Sequence, residues 1–310
     1  MLSEGFNRVT PIQDSSVITD RLLHVNSVAG LIQAIGYIKY EVAKSKKEKE
    51  HYGVVFRGQS DNFPSMVPSL YRGINKSSSK PKRDAVLKET LTSLSIPHGK
   101  SIEKHLGLDN PIYIEPLLQH YGVQTSWLDV VDNIWIALWF SCHRCIKYSC
   151  HRCIKDKKND PFVSFSKRRQ GFNYENANIK KKGELVYESY CYIPLISVPL
   201  SGTVLHSGHY STEKAEVIDL RYCVPSFYLR PHAQHGLVMR MKSKEGEACI
   251  DYKKSVEAVI RIDLVKALEW ISEDSLLTTG NLFPPPHIDT GLLRLLKISE
   301  LKPHLNLPMA

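Results

Sequence analysis

A central stretch, residues 117–140, most constrains how this chain can fold, because a polar turn runs directly into one of its most apolar segments; it reads LLQHYGVQTSWLDVVDNIWIALWF. Large apolar side chains recur there at i and i+4 spacing from Ile134 to Trp139. This spacing predicts a buried helix, with Asp129 or Asp132 available as its N-terminal cap.

The polar first half of this stretch is a candidate site. Gln119, His120, Thr125 and Asp129 lie within eleven positions, and Gly122 permits a tight turn among them. Because the turn would lie beside the positive N-terminus of the predicted helix, it suits an anionic or nucleotide ligand. The alternative interpretation is that these side chains satisfy one another's hydrogen bonds at a buried turn.

The composition is that of an ordinary globular protein, with 42% hydrophobic and 24% charged residues in 310. No run approaches the ~18 apolar residues of a membrane span, and the first residues lack the pattern of a signal peptide. We therefore expect a cytoplasmic protein without a membrane partner. Seven cysteines, four of them within twelve residues, do not resemble a secreted disulfide framework, and we expect reduced thiols.

The positive charge is concentrated in one segment. Residues 142–182 contain 12 of the 41 Lys and Arg residues and 3 of the 32 acidic residues, an excess equal to the net charge of +9. The segment is polar with little periodicity, which predicts a basic, flexible insertion. It would interrupt a single domain spanning residues 1–310, whose core covers about 27–141 and 183–296. Contact of this insertion with nucleic acid is the second interpretation.

The insertion begins with a direct repeat, CHRCIK at 142–147 and again at 150–155. Paired C-x2-C units are typical of tetrahedral zinc sites, but the four-residue spacer is shorter than the ~12 to 20 residues usual between such pairs. The first pair would also continue the buried helix and spread Cys142 and Cys145 along one face. We predict that the cluster holds no structural metal, and duplication alone explains its repeat.

Before the central stretch, the sequence predicts a helix over 26–43, a strand over 52–56 and a helix over 84–94. The strand ends at Arg57-Gly58. An arginine there can present its planar guanidinium to a phosphate, while Gly58 would let the ligand approach the backbone. The alternative is a structural ion pair.

After the insertion, strand formers dominate, and helices are predicted over 265–273 and from Asp289. Arg230, His232, Gln234 and His235 cluster just before one of the strands. Together the elements predict an α+β fold with a mostly antiparallel sheet flanked by helices. The predicted strands span 183–196, 202–206, 215–220, 236–242 and 256–264. No dinucleotide fingerprint, Walker loop, zinc-protease motif or serine-hydrolase elbow occurs.

Five fragments occur in order along the chain: FRGQS at 56–60, PSLYR at 68–72, the stretch 117–141, RPHAQHGL at 230–237 and TTGNLFPP at 278–285. Together they resemble the FRG-domain family, named for its Phe/Tyr-Arg-Gly motif. The resemblance covers roughly residues 27–296. Where the family pattern has Thr-Arg before Leu-Asp, this chain keeps Thr125 but continues with Ser126-Trp127.

The order of residue types is also similar to ADP-ribosyltransferases of the Arg-Ser-Glu type, although Gln234 stands where that pattern has a Glu. The resemblance implies a split, mostly antiparallel sheet and NAD as cofactor. A glutamine cannot carry the negative charge that stabilises an oxocarbenium-like transition state, so chemistry would need a neighbouring carboxylate or histidine. The implied catalytic residues are His120, Gln234 and Asp129, and the implied cofactor-binding residues are Arg57, Gly58, Gln119 and Thr125.

Two classes of function therefore remain open. The first is binding of NAD or a related nucleotide with glycosidic cleavage or ADP-ribosyl transfer, as a toxin or a defence effector, for example against phage. The second is a non-catalytic module that binds a nucleotide or nucleic acid. The absent Glu favours the module, whereas the density of titratable groups around one apolar helix favours the enzyme.

Overall fold

A ten-stranded sheet forms the centre of the computed structural model, which describes residues 14–19, 21–45, 52–73, 80–92, 94, 101–147, 162–168, 190–200, 203–242, 251–271, 277–305 and 307–308. Its strands are β1 (Ser15–Thr19), β2 (Leu22–Val25), β3 (Tyr52–Phe56), β4 (Leu128–Val131), β7 (Tyr190–Pro199), β8 (Thr203–His206), β9 (His209–Ser211), β10 (Ala215–Asp219), β11 (Gly236–Met241) and β12 (Val256–Asp263). Their spatial order is β1-β2-β12-β7-β3-β4-β11-β10-β9-β8, and all neighbours are antiparallel except the parallel pair β2 and β12.

Three further strands form a small second sheet in the order β13-β6-β5. They are β5 (His143–Lys147), β6 (Phe162–Lys167) and β13 (Leu307–Pro308). The α-helices are α1 (Val28–Ser45), α2 (Lys80–Thr92), α3 (Ile102–Leu106), α4 (Ile114–His120), α5 (Ile134–Cys142), α6 (Leu220–Cys223), α7 (Leu229–Ala233), α8 (Leu264–Trp270), α9 (Thr279–Leu282) and α10 (Thr290–Leu296). None of these helices is both long and apolar enough to cross a membrane.

Two groups of helices pack against the same face of the main sheet. Helices α1, α5 and α8 contribute to one apolar cluster, which includes Val131 of β4. Helices α3, α4 and α10 contribute to a second cluster, which includes Val238 of β11. In the β4–β11 register Asp129 lies opposite Val238, and it is two positions from Val131, so all three share one face. Asp129 therefore lies between the two clusters.

The local sequence explains the elements that surround this position. In α1, Leu31, Ile35, Ile38 and Val42 follow at spacings of 4, 3 and 4 and are all buried, as the pattern predicts. Helix α5 begins where the Asn133 side chain accepts hydrogen bonds from the backbone of the first turn. The prediction that Asp129 or Asp132 caps this helix is therefore wrong.

The predicted α+β class with a mostly antiparallel sheet and flanking helices is confirmed. The predicted polar turn before α5 is partly wrong, since Leu128–Val131 form the central strand β4. Nor is the main sheet divided in two, because β3 and β4 are paired; they pair at Phe56 and Val131. Strands β1 and β2 were not predicted.

Part of the predicted insertion is built into the structure. Cys142 is fully buried at the end of α5, and Cys145 follows on β5 rather than on the helix, which corrects the predicted helical spread of these cysteines. Arg168 is 4% exposed and donates to the backbone oxygens of Ser141 (2.7 Å), Ser60 (3.0 Å) and Tyr190 (3.1 Å). Residues 148–161 and 169–182, including Cys150 and Cys153, lie outside the described residues, so the metal prediction stays a prediction.

Replacing Arg168 by Ala is expected to lower the free energy of unfolding by about 3 kcal/mol, because the backbone oxygens of Ser141, Ser60 and Tyr190 lose a charged donor. Urea unfolding followed by circular dichroism measures the change. Arg72→Ala is the control: Arg72 is exposed, and its Nε lies 3.4 Å from the Val67 oxygen. Equal stability of the two variants would show that the Arg168 side chain is dispensable for the fold.

Candidate functional site

The sheet opens between its two central strands, immediately after the pair formed by Phe56 and Val131. Beyond Phe56 the chain leaves β4 and follows β7, since Arg57 N donates to the Pro194 oxygen and Gln59 N to the Tyr192 oxygen. The backbone oxygen of Asp129 faces the opening, where the guanidinium of Arg57 donates to it. Arg57 thus spans the gap between the strands.

His120 and Asp129 form a close pair beside this opening. The His120 Nδ1 atom lies 3.7 Å from Asp129 Oδ1, outside hydrogen-bonding distance. Both ring nitrogens and Asp129 Oδ1 are sealed from solvent and have no hydrogen-bond partner among the described residues. The Asp129 side chain as a whole is 39% exposed, whereas that of His120 is 4% exposed. Asp129, but not its Oδ1 atom, is therefore the member of the pair that a ligand can reach.

A hydrogen-bonded chain fixes the orientation of Asp129. Gln119 Nε2 donates to Asp129 Oδ2 at 2.7 Å, and Thr125 Oγ1 donates to Gln119 Oε1 at 2.6 Å. Ser69 Oγ donates to the same Gln119 oxygen at 3.3 Å, and Trp127 N donates to Thr125 Oγ1 at 3.1 Å. Gln119 and Thr125 are both buried. They orient the carboxylate, and their direct contact with the cofactor stays a prediction.

Charge in the opening is balanced between Arg57 and Asp129. Burial lowers the pKa of the Arg57 guanidinium to about 10, against the opposing attraction of Asp129, so Arg57 remains a cation at neutral pH. Partial burial of Asp129 opposes its ionisation. His120, Arg57 and the Gln119 amide outweigh that effect, and the pKa of the Asp129 carboxyl is lowered. The opening thus presents one carboxylate and one guanidinium.

Residues 52–149 match the model of the FRG domain. The matched segment contains the whole cluster just described, from Arg57 to Asp129. No curated protein and no solved structure matches the chain. The match supports the family resemblance drawn from the motifs over this segment.

Gly58 in the FRG-matched segment lies against a helix. A Cβ atom at this position would collide with the Ala137 oxygen and lie 2.7 Å from Ser141 N, both in the backbone of α5. The absence of a side chain lets α5 pack onto the end of β3. This packing gives Gly58 a structural role, and the approach of a ligand to its backbone stays a prediction.

Gln234 lies outside the FRG-matched segment and does not join the cluster through any hydrogen bond of the described residues. Its side chain is buried, and its Nε2 donates to the Leu282 oxygen at 2.6 Å. The neighbouring His235 has a backbone φ of 48°, and its Nδ1 lies 3.1 Å from Asp132 Oδ1. Arg221 Nη2 donates a hydrogen bond to the same Asp132 carboxylate at 2.6 Å. The bond to the Leu282 oxygen gives Gln234 a structural role, and its catalytic role stays a prediction.

Two residues that shape the site, Gly236 and Ser69, are not among those that the sequence predicts for it. An added Cβ on Gly236 would collide with the His120 ring and lie 2.7 Å from its Nε2, so this glycine makes room for the imidazole. Ser69 supports Gln119, as described above. Both lie in fragments already singled out, Gly236 in RPHAQHGL and Ser69 in PSLYR. Their roles depend on contacts across 116 and 50 positions, respectively, which no local pattern indicates.

Proposed function

We propose that the opening between β3 and β4 binds NAD or a related nucleotide and cleaves its N-glycosidic bond, either by hydrolysis or by ADP-ribosyl transfer. The observation that carries this proposal is the His120–Asp129 pair beside Arg57. The partly exposed Asp129 side chain is backed by a buried imidazole whose nitrogens lack hydrogen-bond partners among the described residues. The lowered pKa values of the Asp129 carboxyl and the Arg57 guanidinium are of the kind that clusters at functional sites.

Asp129 supplies the charge that the chemistry requires. Loss of nicotinamide from NAD leaves positive charge on the ribose in the transition state, and a fixed carboxylate stabilises that charge as it develops. The lowered pKa keeps Asp129 ionised at neutral pH, and Gln119 holds its orientation in advance of binding. Asp129 thereby supplies the negative charge that the neutral side chain of Gln234 cannot supply.

Arg57 supplies the contact with phosphate. Its guanidinium is half-buried at the edge of the opening, and one nitrogen is occupied by the Asp129 carbonyl. The planar fork of an arginine carries further N–H groups that suit two phosphate oxygens at once. His120 lies behind the carboxylate, with its Nδ1 atom 3.7 Å from Asp129 Oδ1.

Release of nicotinamide tests the proposal. The purified chain is incubated with NAD, nicotinamide is measured by chromatography, and NAD binding is measured by calorimetry in parallel. Nicotinamide release that depends on Asp129 supports the enzyme. If the protein neither binds NAD nor releases nicotinamide, the proposal of a nucleotide site is refuted.

Arg57→Lys is expected to raise the Kd for NAD tenfold or more, about 1.4 kcal/mol, because an ammonium group does not reproduce the planar fork. Calorimetric titration measures the change. Arg72→Lys is the control, since Arg72 is an exposed arginine in the same FRG-matched segment. If Arg57→Lys and the parent protein bind NAD with equal affinity, Arg57 does not bind phosphate. Its role is then only the hydrogen bond to the Asp129 oxygen.

A non-catalytic nucleotide-binding module is the second candidate. It is favoured by Gln234, a neutral side chain already bonded to the Leu282 oxygen, at the position where the related enzymes are expected to carry a catalytic Glu. Binding of NAD without nicotinamide release distinguishes this candidate.

Contact of residues 142–182 with nucleic acid is a separate proposal, supported by their charge, and predicts binding that weakens steeply with salt.

An enzyme that consumes NAD would act on its cell as a toxin or as a defence effector, for example during phage infection. This biological role rests on the proposed chemistry. Expression of the parent chain would then lower cellular NAD, and expression of the Asp129→Asn variant would not.

A further inference from the structure

Two buried cysteines from different elements face each other beside the candidate site. Cys142 ends α5 and Cys191 lies in β7, and both side chains are fully buried. Their Sγ atoms are 3.5 Å apart, although the residues are separated by 49 positions in the sequence. A disulfide needs an S–S distance of about 2.05 Å, so the sulfur atoms would have to approach by about 1.5 Å.

The surroundings of the two thiols differ. Arg168 Nη1 lies 3.7 Å from Cys191 Sγ, and the backbone oxygen of Ser141 lies 3.6 Å from the same sulfur. Contact with Cys142 and the nearby Arg168 cation lower the pKa of Cys191, against burial. The same contact and burial raise the pKa of Cys142. One sulfur therefore has more thiolate character, while its neighbour keeps its proton.

We propose that Cys142 and Cys191 are a redox modification site that forms a reversible disulfide with hydrogen peroxide as the oxidant. The Cys191 thiolate attacks one peroxide oxygen, the O–O bond breaks, and hydroxide leaves, which takes up a proton to become water. The Cys142 sulfur then attacks the resulting sulfenic acid, forms the S–S bond and releases the second water. Two thiols and one peroxide thus give one disulfide and two waters.

Peroxide suits this pair because it is small and uncharged. The thiols are sealed inside the fold, where a larger disulfide such as oxidised glutathione has no room without local opening. Cys223, also buried, donates its S–H to the Ser207 oxygen at 3.3 Å and lacks a neighbouring thiol in the described structure. It offers a matched buried cysteine that the same oxidant should leave unpaired.

The bond would act on the candidate site through α5. The backbone of this helix packs on Gly58, directly after Arg57, and β7 pairs with β3 along its length. A covalent link from the end of α5 to β7 closes a long loop and restricts the unfolded chain. The oxidised protein is expected to melt roughly 5–10 °C above the reduced protein.

Peptide mapping of the full chain tests the proposal. Reduced protein is treated with hydrogen peroxide, free thiols are alkylated under denaturing conditions, and tryptic peptides are analysed by mass spectrometry. A peptide pair linked through Cys142 and Cys191, two hydrogens lighter than the reduced peptides and separated by dithiothreitol, supports the proposal. Recovery of both cysteines as alkylated thiols, or of either as sulfinic acid without the link, overturns it.

Variants separate this bond from oxidation elsewhere. Cys142→Ala is expected to remove the rise in melting temperature, whereas Cys223→Ala is expected to retain it. A rise that persists in Cys142→Ala would contradict the assignment. If Cys142→Ala does not fold, the peptide map of the parent chain still decides, because it needs no variant.

Discussion

Replacing Gly58 by Ala is expected to lower the free energy of unfolding by about 3 kcal/mol. The added Cβ would collide with the Ala137 oxygen and crowd Ser141 N, and both belong to the backbone of a buried helix that cannot rotate away. Urea unfolding measures the loss. Because Arg57 precedes Gly58, a displaced strand end should also weaken nucleotide binding.

Gly36→Ala is the matched control for this prediction. Gly36 lies inside α1, and an added Cβ there has no atom within 4 Å. Its replacement is expected to raise stability by about 0.5–1 kcal/mol, because alanine loses less conformational entropy in a helix. If both variants gain stability, α5 does not pack on Gly58 as described.

Replacing Asp129 by Asn is expected to reduce nicotinamide release by about 10²–10³-fold while leaving the fold intact. The asparagine oxygen can still accept from Gln119 Nε2, so the side chain keeps its place and loses its charge. Initial rates at saturating NAD measure the effect on chemistry, and thermal unfolding checks the fold. A rate within about twofold of the parent would exclude Asp129 from the chemistry.

Asp132→Asn is the control for Asp129→Asn. The Asp132 side chain lies three positions from Asp129 and has a similar exposure, 41% against 39%. Asp132, however, contacts Arg221 and His235, whereas Asp129 faces His120. Its replacement is expected to leave the rate nearly unchanged. Loss of activity in Asp132→Asn with retention in Asp129→Asn would move the chemistry to the Asp132 cluster.

The elements with a clear period were predictable from the sequence. Helix α1 was expected over 26–43 and spans Val28–Ser45, because its apolar positions repeat at helical spacing. Strand β4 was missed for a physical reason. It has four residues, three of them buried, and it lies in the middle of the sheet, so it shows neither length nor a polar–apolar alternation.

The candidate site was predictable where its members are neighbours in sequence. Gln119, Thr125 and Asp129 lie on one short stretch and are joined by hydrogen bonds. Which of them faces solvent was not predictable, since that depends on helices packing from distant parts of the chain. Gln234 was included by analogy of order alone, and its bond to the Leu282 oxygen had no signal in the sequence.

The single pairing between β3 and β4 has a consequence for the FRG-matched segment, residues 52–149. Of the ten strands in the main sheet, this segment contributes those two alone. Both of their remaining sheet neighbours, β7 and β11, are encoded after the segment ends. A fragment confined to 52–149 would therefore hold the chemical groups of the site without the scaffold that sets their spacing, and the boundary of sequence similarity is not the boundary of a cooperative folding unit.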